Sequence, residues 1–169
     1  MLFLSFMKMD YITYIKKLTS NELGYRRGKL VTGQMFLISK HAACFFPPLK
    51  KEILNDQVKV RLKVDYLDQE ILLNLVYHND RRNTPNGSRD EYRIYLNKKL
   101  APTKTFFEPN DLVSFEFVEQ GLYKFQVFKP DSLDYKKVQN FYNLNKLQGQ
   151  HALVPVSNSE KKRYNCGKR

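Results

Sequence analysis

The chain has 169 residues, of which 42% are hydrophobic and 14% aromatic, so it is long enough to bury a core and too apolar for a disordered protein. Lys and Arg number 29 against 17 Asp and Glu, and the net charge of +12 favours a polyanionic partner, with nucleic acid ahead of an anionic membrane surface. No apolar run reaches the roughly 18 residues that a membrane span needs, and residues 1–9 lack the charged start and cleavage site of a signal peptide. We therefore expect one domain in the cytoplasm.

The first half of the chain predicts short strands separated by polar segments. Residues 11–18 fit a helical stripe as well as a β alternation, and their β-branched and aromatic side chains favour a strand. Residues 35–38 predict a short apolar strand, and residues 40–46 predict one or two helical turns that a proline pair ends. The clearest signal is residues 58–66, where alternating apolar and charged side chains predict a strand with one buried face.

The second half continues the β pattern and then predicts a helix. Further strands are predicted over residues 70–78, 92–96, 113–117 and 123–127. Residues 133–142 carry apolar side chains at roughly helical spacing after a Pro-Asp-Ser start, which predicts an α-helix. The alternating residues that we expect to be buried are Val58, Val60, Leu62, Val64, Val113, Phe115 and Phe117.

These patterns together predict a mainly β protein. We expect a closed or half-closed barrel of seven or eight strands with one or two short helices. We assign residues 1–150 to this domain. Residues 151–169 are interpreted as a basic tail or linker, because the pattern fades after Gly149 and residues 161–169 hold five basic residues and no acid.

Two polar, basic loops interrupt the strands, and we call them the first arm (residues 19–34) and the second arm (residues 79–93). The second arm holds four arginines, a Pro-Asn-Gly turn and an acidic pair. Loops on a rigid β scaffold commonly carry binding function, and arginine, asparagine and carboxylate side chains are the groups that read base edges in DNA. The alternative is a solvated hairpin tip, which a basic loop taken alone fits equally well.

Three charged residues of the second arm are spaced two apart. In an extended strand, Arg89, Glu91 and Arg93 would point to the same side. A carboxylate between two arginines can accept a hydrogen bond from a cytosine amino group and can hold an arginine fork in one orientation. The spacing therefore predicts base reading, and the alternative is a salt-bridged hairpin base.

Two stretches resemble the N-terminal DNA-binding domain of EcoRII-type restriction endonucleases. Y-I-K-K-L-T-S-N-E (residues 14–22), the glycine-rich basic loop after it, residues 35–40 and the Phe-Phe-Pro at 45–47 follow in the family's order. G-S-R-D-E-Y-R-I (residues 87–94) is similar to the family's G-T-R-N-E-x-R signature, and the resemblance covers most of residues 11–144. It implies a DNA-binding pseudobarrel, shared with plant B-three transcription factors, whose two arms grip the duplex in the major groove.

The resemblance and the loop chemistry together give the candidate DNA contacts. Arg89, Glu91 and Arg93 fall on the charged positions of the signature, whereas the first arm has a longer basic loop where the family has glycine-glycine-histidine-glutamine. The first-arm candidates are Asn21, Tyr25, Arg26, Arg27, Lys29 and Gln34. The second-arm candidates are Arg81, Arg82, Asn83, Asn86, Ser88, Arg89, Asp90, Glu91 and Arg93. His78, at the root of the second arm, is a further candidate.

The sequence favours a binding domain over an enzyme. Pro130-Asp131 and Glu160-x-Lys162 match the PD-(D/E)xK sequence motif of nucleases. However, Asp131 is predicted to lie at the start of a helix, and Glu160 lies in a polar tail. That chemistry needs both carboxylates on adjacent strands around a metal. The cysteines and histidines show no metal-ligand or triad pattern.

We therefore expect a target-recognition or regulatory domain of a type II restriction endonuclease. It would bind double-stranded DNA as a monomer, with no membrane and no cofactor, and Mg²⁺ is expected only in a separate nuclease domain. One alternative is a complete small Mg²⁺-dependent nuclease. The other is a single-stranded nucleic-acid binder that stacks bases on its many Tyr and Phe side chains.

Overall fold

The computed structural model describes residues 11–31, 33–80, 85 and 89–155. The protein is mainly β, with a strongly curled half-barrel sheet of eight strands and two short helices. The strands are β1 (Tyr11–Lys17), β2 (Tyr25–Arg26), β3 (Lys29–Leu30), β4 (Met35–Ile38), β5 (Gln57–Val64), β6 (Ile71–His78), β7 (Glu91–Tyr95), β8 (Leu112–Glu119), β9 (Leu122–Phe128) and β10 (His151–Pro155). A 3₁₀-helix spans Lys40–Phe45, and the α-helix α1 spans Tyr135–Leu144.

The order of strands in the large sheet is β10-β1-β8-β9-β5-β6-β7-β4, and β2 pairs with β3 as a separate hairpin. Neighbouring strands are antiparallel except β5 and β9, which run parallel. The predicted class of fold is confirmed. The strands and helical turns predicted before residue 145 also lie where the sequence placed them, with shifts of a few residues at their ends.

The core follows from the alternation in the strands. Of the seven residues predicted to be buried, five are buried, while Val58 and Phe117 are partly exposed and pack against the core from its margin. Aromatic rings fill much of the interior and contact one another edge to face or tilted. The buried aromatic residues of this cluster are Tyr14, Phe36, Phe45, Phe46, Phe107, Phe115, Tyr123 and Phe125.

Helix α1 covers part of the sheet's outer face. Its Tyr135 and Tyr142 pack with Ile15 of β1, Leu112 of β8 and Ala152 of β10 in a second, smaller apolar cluster. The helix therefore shields one end of the sheet, opposite in strand order to β7 and β4. No helix in the described part of the chain is long and apolar enough to cross a membrane.

Strand β10 is the element that the sequence analysis missed. It pairs antiparallel with β1 and lies beyond residue 150, where we expected a tail to begin. Leu153 enters the main core and Ala152 enters the cluster under α1. β10 has only five residues, and so short an apolar pattern does not distinguish a strand from an apolar stretch of linker.

Candidate nucleic-acid interface

The two arms leave the sheet at opposite ends of β7. The second arm leads into β7 at Glu91, and the first arm leads into β4 at Met35. Because β4 and β7 are antiparallel, Met35 lies opposite Tyr95 at the far end of β7. With about 3.3 Å per residue, the two roots are about 13 Å apart along the strand. The roots of the two arms are therefore separated by the length of β7.

The first arm carries a tight hairpin with a cationic tip. Arg26 pairs with Lys29, and the two residues between them have positive φ angles, 50° at Arg27 and 74° at Gly28. Positive φ at both positions is the type I′ turn, which matches the twist of a two-residue hairpin. Asparagine or glycine is the usual residue at the first of these positions. Here an arginine takes it, and the turn presents three exposed cations.

The other predicted first-arm residues have different surroundings. Asn21 is exposed, whereas Tyr25 is partly buried and packs against the core. The side-chain amide of Gln34 donates to the carbonyl oxygens of Lys104, at 2.6 Å, and Leu23, at 3.4 Å. Gln34 therefore fixes the end of the arm to a neighbouring segment, and its amide nitrogen is committed to that contact.

The described part of the second arm contains an ion-pair cluster. Glu91 lies between two guanidinium groups, because it accepts a hydrogen bond from Arg93 and lies 3.7 Å from Arg89 Nε. Arg89 also donates to Asp80 across the arm, at 3.3 Å. The structure thus brings the three predicted charged residues together. The predicted residues Arg81, Arg82, Asn83, Asn86 and Ser88 lie outside the described residues.

Asp90 anchors the second arm to the body of the protein. Its carboxylate accepts hydrogen bonds from Lys40 Nζ and from the Tyr77 hydroxyl, each at 2.5 Å. These two hydrogen bonds, that from Lys40 first, hold the pKa of Asp90 below its usual range. The carboxylate that precedes β7 therefore joins the 3₁₀-helix and β6 to the arm.

His78 lies at the centre of the second arm's root. Its Nε2 lies 2.7 Å from the Tyr95 hydroxyl. In the pairing of β6 with β7, His78 lies opposite Glu91. Burial, followed by the positive charges of Arg93 and Arg89, lowers the pKa of His78. The ring is therefore neutral near pH 7 and contributes a hydrogen-bonding group, not a cation, to this surface.

Two residues of this region were not predicted as part of the site. Asn79 donates to the carbonyl oxygens of Lys51 and Ile53, each at 2.9 Å, and accepts from the Asn55 amide at 2.8 Å. It thereby fixes the loop before β5 to the arm's root. Tyr95 is 37% exposed on the outer face of β7, two residues after Arg93. The period-two spacing that selected Arg89, Glu91 and Arg93 also reaches Tyr95.

Of the nuclease motif considered from the sequence, only Pro130-Asp131 lies within the described residues. Asp131 is exposed in the turn before α1, and Glu160 and Lys162 lie outside the described residues. Within the described part of the chain, no group of three or more His, Cys, Asp or Glu residues is placed to hold a metal ion.

These features define a class of protein: a curled β half-barrel with a basic arm at each end of one strand. Among solved structures, the N-terminal domain of Helicobacter pylori LlaJI.R1 is similar to this chain, with a TM-score of 0.53 and 14% sequence identity over 86% of this chain and 98% of that chain. At this identity the likeness establishes the fold. No protein-family model matches the chain, and no curated protein matches it. The resemblance to EcoRII-type enzymes stays a prediction.

Proposed function

We propose that this chain is a sequence-specific DNA-recognition domain that grips double-stranded DNA in the major groove with its two arms. The observation that carries the proposal is the placement of two basic arms at opposite ends of β7, in a chain of net charge +12. The separation of about 13 Å between their roots is close to the width of the major groove, about 12 Å.

The likeness in fold supports a role in restriction. LlaJI.R1, whose N-terminal domain has a similar fold, is a restriction enzyme. By this analogy the chain would select the target site, and cleavage with bound Mg²⁺ would take place on a separate domain. The domain itself then needs no cofactor.

The distribution of aromatic residues favours duplex over single-stranded DNA. A single-strand binder stacks bases on exposed aromatic side chains. In the described part of this chain, most Phe and Tyr rings of the barrel are buried against one another. At the root of the second arm, the described surface offers Arg93, Glu91 and His78, whose charged and hydrogen-bonding groups suit base edges and phosphates, beside the single exposed ring of Tyr95.

Selection from a random duplex library, followed by sequencing, tests the proposal directly. The selected duplex should bind more tightly than its separated strands and than a scrambled duplex. If about five phosphates are neutralised, the logarithm of the affinity should fall with the logarithm of the salt concentration with a slope of about −4 to −5. A flat salt response, or a preference for single strands, would contradict the proposal.

A matched pair of charge variants locates the interface. Arg26→Ala with Arg27→Ala removes two cations from the first arm, and Lys136→Ala with Lys137→Ala removes two exposed cations from α1. The first pair should weaken binding and reduce the salt slope by about two, because each lost phosphate contact changes it by about one. The second pair should leave both nearly unchanged. Equal effects of the two pairs would mean that net charge alone attracts DNA.

A further inference from the structure

A buried ion pair lies at the root of the first arm. Lys16 Nζ, on β1, lies 2.6 Å from Glu22 Oε1, and the two side chains are only 2% and 1% exposed. Tyr14 and Leu18, two residues to either side of Lys16, belong to the main core. Because alternate residues of a strand share a face, Lys16 points into the barrel, where it meets the carboxylate of the arm.

The same carboxylate also binds both ends of the first arm. Glu22 Oε2 accepts hydrogen bonds from the Thr19 amide, at 3.1 Å, and from the Thr19 hydroxyl, at 2.8 Å. Glu22 Oε1 accepts from the amide of Leu37, in β4, at 2.8 Å. The main-chain oxygen of Glu22 accepts from the Met35 amide at 3.0 Å. One residue therefore ties the first residue of the arm to the strand that follows it.

Glu22 also accepts hydrogen bonds from backbone amides at a free edge of the sheet. β4 is the last strand in the sheet order, so one of its edges has no neighbouring strand among the described residues. Backbone N–H groups on such an edge need other partners, and Glu22 provides them for Met35 and Leu37. Through Lys16 the carboxylate also reaches β1, which is next to the last strand at the other end of the sheet order. The arm's root is thus fixed to both strands.

The energetics suggest a role in geometry. A buried ion pair often gives no more stability than apolar residues of similar volume, whereas breaking it leaves an uncompensated buried charge. Burial lowers the pKa of Lys16, and the Glu22 carboxylate opposes that effect. Four donors around one carboxylate leave it a single well-satisfied position. The pair therefore specifies where the arm's ends lie.

We propose that Glu22 is a positioning residue of the DNA interface. Its carboxylate holds the two ends of the first arm in one geometry, so that the cationic hairpin tip at Arg26, Arg27 and Lys29 is presented to the duplex before binding. Ordering a loop on binding weakens affinity, and a preorganised loop avoids that loss. This inference rests on the proposed function of the arms.

A double-mutant cycle tests the coupling between the arm's root and its tip. Arg26→Ala with Arg27→Ala should lower the affinity of the parent chain for its selected duplex by about tenfold. In a Glu22→Gln background, the same two substitutions should cost about threefold or less, because the mobile arm no longer holds its cations at the phosphates. Equal losses in the two backgrounds would overturn the inference, since a merely structural role of Glu22 makes the effects additive.

Two controls separate this result from other causes. Glu116→Gln removes an exposed negative charge from β8 and should leave the loss caused by the arginine substitutions at its parental value. If the parent chain binds no duplex at all, the proposed function fails. If it binds and the cycle with Glu22→Gln is additive, the positioning role fails while the proposed function stands.

Hydrogen exchange gives a second readout that needs no DNA. The amides of Tyr25 and Val31 bond within the arm, to the oxygens of Ser20 and Gly24, each at 2.9 Å. In Glu22→Gln these two amides should exchange faster, while the amides of β8 and β9 keep their protection. Faster exchange of both groups by the same factor would show general destabilisation and would contradict a positioning role.

A milder variant covers the case in which Glu22→Gln does not fold. Thr19→Val removes the hydroxyl that donates to Glu22 Oε2 and leaves the ion pair intact. It should accelerate exchange of the arm amides and lower affinity in the same direction by about twofold or more. Thr19→Ser, which keeps the hydroxyl, should behave as the parent chain. Unchanged exchange and affinity in Thr19→Val would overturn the inference.

Discussion

At the scale of single residues, the second arm's root shows how one carboxylate organises two arginines. Glu91 accepts from Arg93 and lies within 3.7 Å of Arg89, and the three side chains are between 16% and 33% exposed. A carboxylate near DNA is repelled by phosphates, so its place between two cations needs a reason. On the proposed function, it would fix the orientation of the two guanidinium forks toward guanine. The same ion pairs would also form the salt-bridged hairpin base of the alternative, and binding to selected and scrambled duplexes distinguishes the two.

Substitutions in this cluster separate base reading from simple attraction. Arg89→Ala or Arg93→Ala should cost about 1–3 kcal/mol of binding free energy on the selected duplex and little on scrambled duplex. Glu91→Gln should reduce the preference for the selected duplex, while binding to scrambled duplex holds or rises because a repelling charge is lost. Dissociation constants on the two duplexes measure both effects, with thermal unfolding as the control for folding. Equal losses of affinity on both duplexes would show that the arm binds DNA without distinguishing its sequence.

At the scale of elements, β10 extends the sheet past residue 150. It pairs with β1 along five residue positions and places Ala152 and Leu153 in two different apolar clusters. Without β10, β1 would become an exposed sheet edge, and the barrel and the helix α1 would each lose part of their packing. The strand therefore contributes to the main core and to the helix cluster at once.

Truncation tests the contribution of β10. A chain that ends at residue 150 should be much less stable than one that ends at residue 156. Loss of the Leu153 side chain alone should cost about 2–5 kcal/mol, and the lost pairing with β1 adds to this. Unfolding in denaturant, followed by circular dichroism, compares the two chains. The same midpoint and slope in both would show that β10 is dispensable.

At the scale of the whole molecule, the curled sheet buries ionisable groups that link its stability to pH. His151, on β10, contacts the hydroxyl of the buried Tyr14. Burial, followed by the positive charges of Lys16 and His41, lowers the pKa of His151 to about 3. The folded state therefore holds this ring neutral under conditions in which an unfolded chain protonates it.

The resulting pH dependence has a definite sign. Above the ordinary histidine pKa of about 6.5, His151 is neutral in both states and has no effect on the pH dependence. Between that value and about 3, only the unfolded state takes up the proton, so the free energy of unfolding falls as the pH falls. Each unit by which the pKa differs between the folded and unfolded states corresponds to about 1.4 kcal/mol of unfolding free energy.

His151→Gln should remove this part of the acid sensitivity. Denaturant titrations of the parent chain and the variant at several pH values measure the difference in unfolding free energy, which should move in favour of the variant as the pH falls below about 6.5. Carboxylate protonation affects both chains and cancels in the comparison. A difference that stays constant with pH would contradict a buried neutral His151.

Much of the local structure of this protein follows from short-range patterns in its sequence. Period-two alternation predicted the strands, because each strand has one buried and one solvated face, and the same pattern predicted most of the core. Composition and charge predicted two basic arms, since polar, glycine-bearing segments between apolar runs cannot be buried. Three other features emerge only in the folded structure: the arms leave from opposite ends of β7, Glu22 joins β1 to β4 at the root of the first arm, and β10 pairs with β1. These features depend on strand register and on contacts between residues distant in the chain, which no local pattern encodes.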